Sequence, residues 1–409
     1  MGITLGQAFM GLYRARRPYG IVLMDCLNGY NKFSCVSILI FNMFHRQNYL
    51  FDRKEEPQIM ADRNYHDQVN IENALRLREL IAELPRFCSD FFRGIEPTTS
   101  SRTRIAYAYD LRVFFQFLCD NNPIFKNTPT RELKIEILDQ IKAIDIEEYL
   151  DYLSYYKKDD KEHLNQETGK KRKLISLRSF YNYYFKKEMI ITNPAALVNI
   201  PKLHEKEIIR LDIDEVAKML DEVETGESMT HVQQKYHEKT KIRDLAMITL
   251  LLGTGIRVSE CVGLDLNDVD FNNDGIKIRR KGGYEAIIYF GEEVREALED
   301  YLMDREAILP LPGHEDALFL SMQKKRISVR AVEILVKKYS GLVTKLKHIT
   351  PHKLRSTYGT SLYRETGDIY LVADVLGHKD VNTTKKHYAA IEDSRRRSAA
   401  NKVKLREKE

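Results

Sequence analysis

Beyond residue 70, apolar residues return every three or four positions over most of this chain, the spacing of amphipathic helices. Residues 71–84 carry the pattern until Pro85 breaks it. The next stretch, "EPTTSSRTRIAYAYDLRVFFQFL", offers Thr and Ser residues as N-caps, then Tyr107, Leu111, Phe114 and Leu118 at helical spacing. Further helices are predicted over residues 144–156 and 168–187, after which Pro194 and Pro201 end the run. Helical patterning resumes over 212–223 and 242–252, and again from Glu292. One stretch between them alternates instead. In "IKIRRKGGYEAIIYF" apolar residues at every second position flank Gly282-Gly283, which predicts a β-hairpin.

This pattern divides the chain. Residues 1–59 form an extension of mixed character, and the more ordinary polar, helical sequence that follows Met60 marks a candidate alternative start. Residues 60–97 are expected as a helical segment, 98–201 as an all-α module, 202–210 as a linker and 211–409 as a second, mostly helical domain with a charged tail. Two helical domains joined by an extended linker can close around a rod-shaped ligand.

Composition narrows the class. Of 409 residues, 43% are hydrophobic and 31% charged, which gives each domain a core and excludes fibrous and wholly disordered chains. The net charge of +5 selects no partner, but its distribution does. From residue 321 to 364 there are eleven Lys or Arg and one acid, Glu333, a local field that attracts polyanions. Residues 168–187 hold seven Lys or Arg and no acid. On a helix, Leu174, Leu177, Tyr181 and Tyr184 share one face, with the tyrosines read as packing. Arg172, Ser179, Asn182 and Lys186 fall opposite, a face suited to a DNA major groove. The five cysteines (Cys26, Cys35, Cys88, Cys119, Cys261) form no CxxC pair, so neither a disulfide framework nor a zinc site is indicated and a reducing cytoplasm fits. The run "CVSILIFNMF" falls short of the roughly 20 residues of a membrane span. Residues 1–59 lack the layout of a signal peptide. Glu260, Asp265 and Asp268 are not spaced as a metal site and read as structural.

Four short motifs carry the chemistry. "GTGIRVSE" puts Arg257 just after a Gly-rich turn, "TPHKLRST" carries His352 and Arg355, "VLGH" ends in His378, and Tyr388 follows. In this order they resemble the tyrosine recombinases, the phage-integrase-like site-specific recombinases, over about residues 98–397. The resemblance implies a mainly α fold: a helical, SAM-like core-binding domain plus a mostly α catalytic domain with a small β-hairpin, forming a C-shaped clamp on DNA. It places the family's two arginines on Arg257 and Arg355, its histidine on His352, its third polar ligand on His378, its nucleophile on Tyr388 and its hairpin lysine on Lys281. Two departures stand out. Arg280 replaces the first glycine of the common Gly-Lys-Gly, which leaves Lys277 and Arg280 as rivals of Lys281. The step from His378 to Tyr388 is one residue longer than is common in the family.

The residue types suit the reaction. In-line attack on a phosphodiester builds negative charge on its non-bridging oxygens, where Arg257 and Arg355 can each donate two hydrogen bonds. A phenol titrates near pH 10. A cationic pocket favours its anion, with His352 as base, Lys281 as acid for the departing 5′ oxygen, and His378 bonding a phosphate oxygen or orienting the site. A 3′-phosphotyrosine conserves the bond energy, so no metal, ATP or other cofactor is expected. The expected partner is double-stranded DNA, with monomers off DNA and a homotetramer in the synaptic complex, in a cytoplasmic, nucleoid-associated enzyme. Integration and movement of mobile elements fall within that class. A type IB topoisomerase and a catalytically silent DNA-binding regulator are the rival readings. "TGIRVSE" and "LGH" favour the recombinase over the first, and six competent polar side chains disfavour the second. Residues before 98 lack the strand-turn-strand series of the arm-binding module that phage integrases often carry.

Overall fold

The structure is a computed structural model that describes residues 65–126, 128–158, 161–202, 209–280, 282–378 and 381. The first helical stretches become α1 (Tyr65–Ala82), α2 (Cys88–Gly94), α3 (Ser101–Asn121), α4 (Ile137–Gln140), α5 (Ala143–Tyr152), α6 (Glu167–Lys186) and α7 (Pro194–Leu197). Ser100 caps α3 by accepting from the Thr103 amide at 3.4 Å. The helix predicted over 144–156 stops at Tyr152, because the chain turns there into a short antiparallel pair. This is β1 (Tyr156–Lys158) with β2 (Lys161–His163). The Tyr156 ring stacks on Tyr152 at 5.1 Å and on His163 at 4.9 Å, contacts that favour the turn over another helical turn.

Rings fill the first core. Phe91 meets Phe180 edge to face at 5.1 Å, and Phe114 meets Tyr149 in the same way at 5.1 Å. Leu77 and Leu80 bring α1 into this core, and Leu174, Leu177, Tyr181 and Tyr184 bring the inner face of α6. The basic first half of α6 is tied to α3 through Asp110, which is buried. Asp110 accepts from Arg172 Nη1 at 2.7 Å, Lys173 Nζ at 3.0 Å and Ser176 Oγ at 2.7 Å. A buried carboxylate needs such partners, since its charge has lost its water.

The second core is built by α8 (Ile213–Thr225), α9 (His231–His237), α10 (Lys241–Thr254), α11 (Val258–Gly263), α12 (Glu292–Glu306), α13 (Val329–Val343), α14 (Pro351–Thr366) and α15 (Ile369–Leu376), with β3 (Val269–Asp270), β4 (Gly275–Arg279) and β5 (Glu285–Tyr289). The three strands form one antiparallel sheet in chain order, in a register that pairs Lys277 with Ile287 and Arg279 with Glu285. The hairpin expected around Gly282-Gly283 is present, and both glycines take positive φ, 99° and 83°. Helix α10 is apolar on most sides, burying Ala246, Met247, Ile248, Leu250 and Leu251 against its neighbours. Tyr363, Val372 and Leu376 form a small cluster that seats α15 on α14. Cys88, Cys119 and Cys261 are buried free thiols, and burial pushes Cys261 up to about 12. No described helix is long and apolar enough to cross a membrane.

Asp110→Ala is expected to lower the free energy of urea unfolding by about 3–5 kcal/mol, because it strands the buried Lys173 charge. Asp110→Ala with Lys173→Met should recover most of that loss. An unchanged urea midpoint for the single variant would remove the cluster as a stabilising tie.

Candidate active site

Helix α10 ends at Gly255, whose φ of 63° reverses the chain so that Arg257 becomes the N-cap residue of α11. A Cβ on Gly255 would collide with the Tyr358 ring, so the turn is close as well as left-handed. Glu260, one turn on and buried, accepts from the Arg257 backbone amide at 2.7 Å and from its Nη1 at 2.7 Å. The carboxylate that reads as structural in the sequence therefore fixes the first arginine. Arg257 Nη2 then reaches the Gly377 carbonyl at 3.3 Å.

Arg355 arrives at the same place from α14. Buried, it donates from Nη1 to the Gly255 carbonyl at 2.6 Å and from Nη2 to the Leu376 carbonyl. Arg280, just past β4, donates from Nη2 to the Val375 carbonyl at 2.8 Å and from Nη1 to that of Asp374 at 3.3 Å. Three guanidiniums from three elements thus meet four successive carbonyls at the end of α15. The helix closes there with Gly377 at φ 60°, and the amides of Gly377 and His378 return to Asp374 and Ala373 at 2.8 and 2.9 Å. A helix carboxyl end carries partial negative charge, which draws the cations. His378 is the next residue, so Arg257, Arg355 and His378 are brought together. His352 lies one turn before Arg355 on α14 and is exposed. Lys281 and Tyr388 lie outside the described residues.

A cleft of about 510 Å³ opens beside the arginines, lined by Tyr65, His66, Asn70, Ser101, Arg102, Arg257, Arg279 and Arg280 among others. Its field is positive. His66 is held below its ordinary value, first by burial and then by Arg279 and Arg326. The Arg326 guanidinium lies 4.7 Å from the centre of the Tyr65 ring. Sequence reasoning missed this wall of the cleft; the Ser and Thr residues near 100 signal a helix cap and nothing more. On α6, Asn182 and Lys186 are exposed and Ser179 is half-buried, while Arg172 is engaged by Asp110. Among the described residues no group of three His, Cys, Asp or Glu could hold a metal ion.

Residues 210–395 match the profile of the Phage integrase family. The tyrosine recombinase XerC of Caldanaerobacter subterraneus subsp. tengcongensis is 37% identical over 320 residues, covering 75% of this chain and 82% of the relative. The chain belongs to the phage integrase family of tyrosine recombinases. This recombinase is also 31% identical over 291 residues to XerC of Leptospira interrogans, across 71% of its own length and 84% of that relative. It shares its fold with the XerH site-specific recombinase bound to palindromic difH substrate in a post-cleavage complex, at a TM-score of 0.54 and 21% identity over 73% and 78% of the two chains. A lambda integrase(75-356) dimer bound to a COC′ core site matches at a TM-score of 0.52 and 16% identity, over 74% of the recombinase and 94% of that chain. The recombinase is an enzyme of the site-specific class.

Glu260→Gln in the recombinase should slow covalent protein–DNA complex formation by about tenfold or more, the cost of one charge-assisted hydrogen bond to Arg257. Single-turnover cleavage of a nicked substrate measures it, with circular dichroism as the control for folding. An unchanged rate would show that Arg257 holds its place without the carboxylate.

Proposed function

We propose that this recombinase cuts and rejoins double-stranded DNA at specific sites through a 3′-phosphotyrosyl bond to Tyr388. The observation that carries the reading is the convergence of Arg257, Arg355 and His378 on one helix end. Two fixed guanidiniums there can meet the charge that develops on a phosphodiester. The Tyr388 oxygen attacks phosphorus in line as His352 takes its proton. The bond to the 5′ oxygen breaks while Lys281 protonates that oxygen. Arg257 and Arg355 donate to the non-bridging oxygens, and His378 donates to one of them or orients the site. Attack by a 5′ hydroxyl of the exchanging strand reverses each transfer and frees Tyr388. The similarity to XerC over most of both chains favours exchange between sites over relaxation of a single duplex.

The working unit is a clamp. Residues 98–201 serve as the core-binding domain, with α1 and α2 packed into the same core, 202–210 as the linker and 211–409 as the catalytic domain; separate cores on either side support the break at the linker. Arg172, Ser179, Asn182 and Lys186 on α6 face the duplex, with Asn182 and Lys186 the most available to base edges and phosphates. Recombination needs four strand cuts, so four protomers act on two sites. The tail after Tyr388 offers Ala389, Ile391 and Ala400 as small apolar contacts for a neighbouring protomer.

Tyr388→Phe is expected to bind DNA with unchanged affinity and to form no covalent complex, read as the loss of the protein-linked band on a denaturing gel. A persistent adduct would put the nucleophile elsewhere, and peptide mapping would locate it. Truncation after Asp393 should leave single-site binding nearly intact while reducing synaptic complexes on native gels. Undiminished synapsis would reduce the tail to a solvated end.

A further inference from the structure

Arg280 stands at the hairpin position where the resembling family commonly has glycine, so its long side chain is a property of this chain that the common motif does not explain. We propose that Arg280 is a positioning residue for strand cleavage. By gripping the carboxyl end of α15 Arg280, one residue before Lys281 in the sequence, ties the end of β4 to the Arg257–Arg355–His378 cluster.

The backbone of Arg280 closes the hairpin. Its amide donates to the Tyr284 carbonyl at 2.7 Å, and its own carbonyl accepts from Gly283 at 3.0 Å. The side chain leaves the sheet and bonds the carbonyls of Asp374 and Val375, more than ninety residues further along. The hairpin's inner face is held in the core by Ile276, Ile278 and Ile288, while its outer face, with Lys277, Ile287 and Tyr289, is exposed, so Arg280 is a tie at the end of β4. The receiving end is shaped to match. A Cβ on Gly377 would collide with the Arg280 guanidinium, so the left-handed cap that ends α15 also makes room for this contact. A planar fork spans two neighbouring carbonyls and responds to the helix dipole, whereas an ammonium meets one at a time. Both Nη atoms of Arg280 bond carbonyls of α15. Its Nε is buried with no hydrogen-bond partner among the described residues. The hairpin is therefore tied to the segment that carries His378, and whatever moves one moves the other.

The inference rests on the proposed role of Lys281 as the acid in one arm of its test. Full-length wild type, Arg280→Ala, Arg280→Lys, Lys281→Ala and the Arg280→Ala/Lys281→Ala double variant are compared in single-turnover cleavage. Ordinary substrate is set against one with a 5′-bridging phosphorothiolate, whose thiolate leaves without a proton, and DNA affinity is measured by mobility shift. Arg280→Ala should cleave ordinary substrate about 10- to 100-fold more slowly, the scale of a misplaced catalytic group, at unchanged DNA affinity. Arg280→Lys should not restore the rate, and the double variant should be no slower than Lys281→Ala. The phosphorothiolate should restore Arg280→Ala as it restores Lys281→Ala. Gly377→Ala, which disturbs the contact from its other side, should show the same rescue. Additive losses in the double variant would overturn the proposal. So would weakened DNA binding with a normal rate at saturation, which would make Arg280 a direct phosphate contact. Failure of the phosphorothiolate to rescue Lys281→Ala would overturn the acid assignment alone, and the additivity result would then decide Arg280.

Discussion

The carboxyl end of one short helix organises this enzyme. Helices end with carbonyls that have no partner within the helix, and in α15 those carbonyls are met from elsewhere in the chain. The amides of Gly377 and His378 take two, and Arg280, Arg355 and Arg257 supply the other donors from the hairpin, from α14 and from the turn after α10. A single charge at a helix end stabilises by only about 0.3–1 kcal/mol. The geometric consequence is larger than that figure, because one helix end sets the spacing of three elements and of His378 together.

Gathering guanidiniums is unfavourable by itself, and the chain offsets the repulsion while cancelling only part of the charge. Glu260 is the carboxylate bonded to Arg257, while backbone dipoles serve Arg280 and much of Arg355. Dipoles orient a cation and leave its net charge in place. The cleft therefore stays positive, and His66 is held below its ordinary value first by burial and then by Arg279 and Arg326. A polyanion entering there meets cations already held in position, which reduces the reorganisation required during the reaction.

Local features of the fold were legible in the sequence. The helix predicted over 168–187 runs Glu167–Lys186, and the turn at Gly282-Gly283 forms where alternation and paired glycines place it. Arg257 and Arg355 were legible through the order of motifs; their spacing says nothing of their meeting. Long-range partners were not legible. Asp110 lies 62 residues before Arg172 and engages a side chain that helical geometry alone assigns to the groove-facing set. Arg280 looked like a rival to the hairpin lysine, and the carbonyls it holds follow more than ninety residues later. Contacts of that reach depend on the assembled fold, and no local pattern encodes them.

Helix α1 has a further consequence, for the wall of the cleft. Its first turn rests Tyr65 under Arg326 of the second core, while Leu77 and Leu80 are buried in the first. Its Tyr65 and His66 line a cleft of about 510 Å³ together with Arg257, Arg279 and Arg280. One helix therefore joins the two cores at this cleft, and any change in how they are set against each other would change its shape.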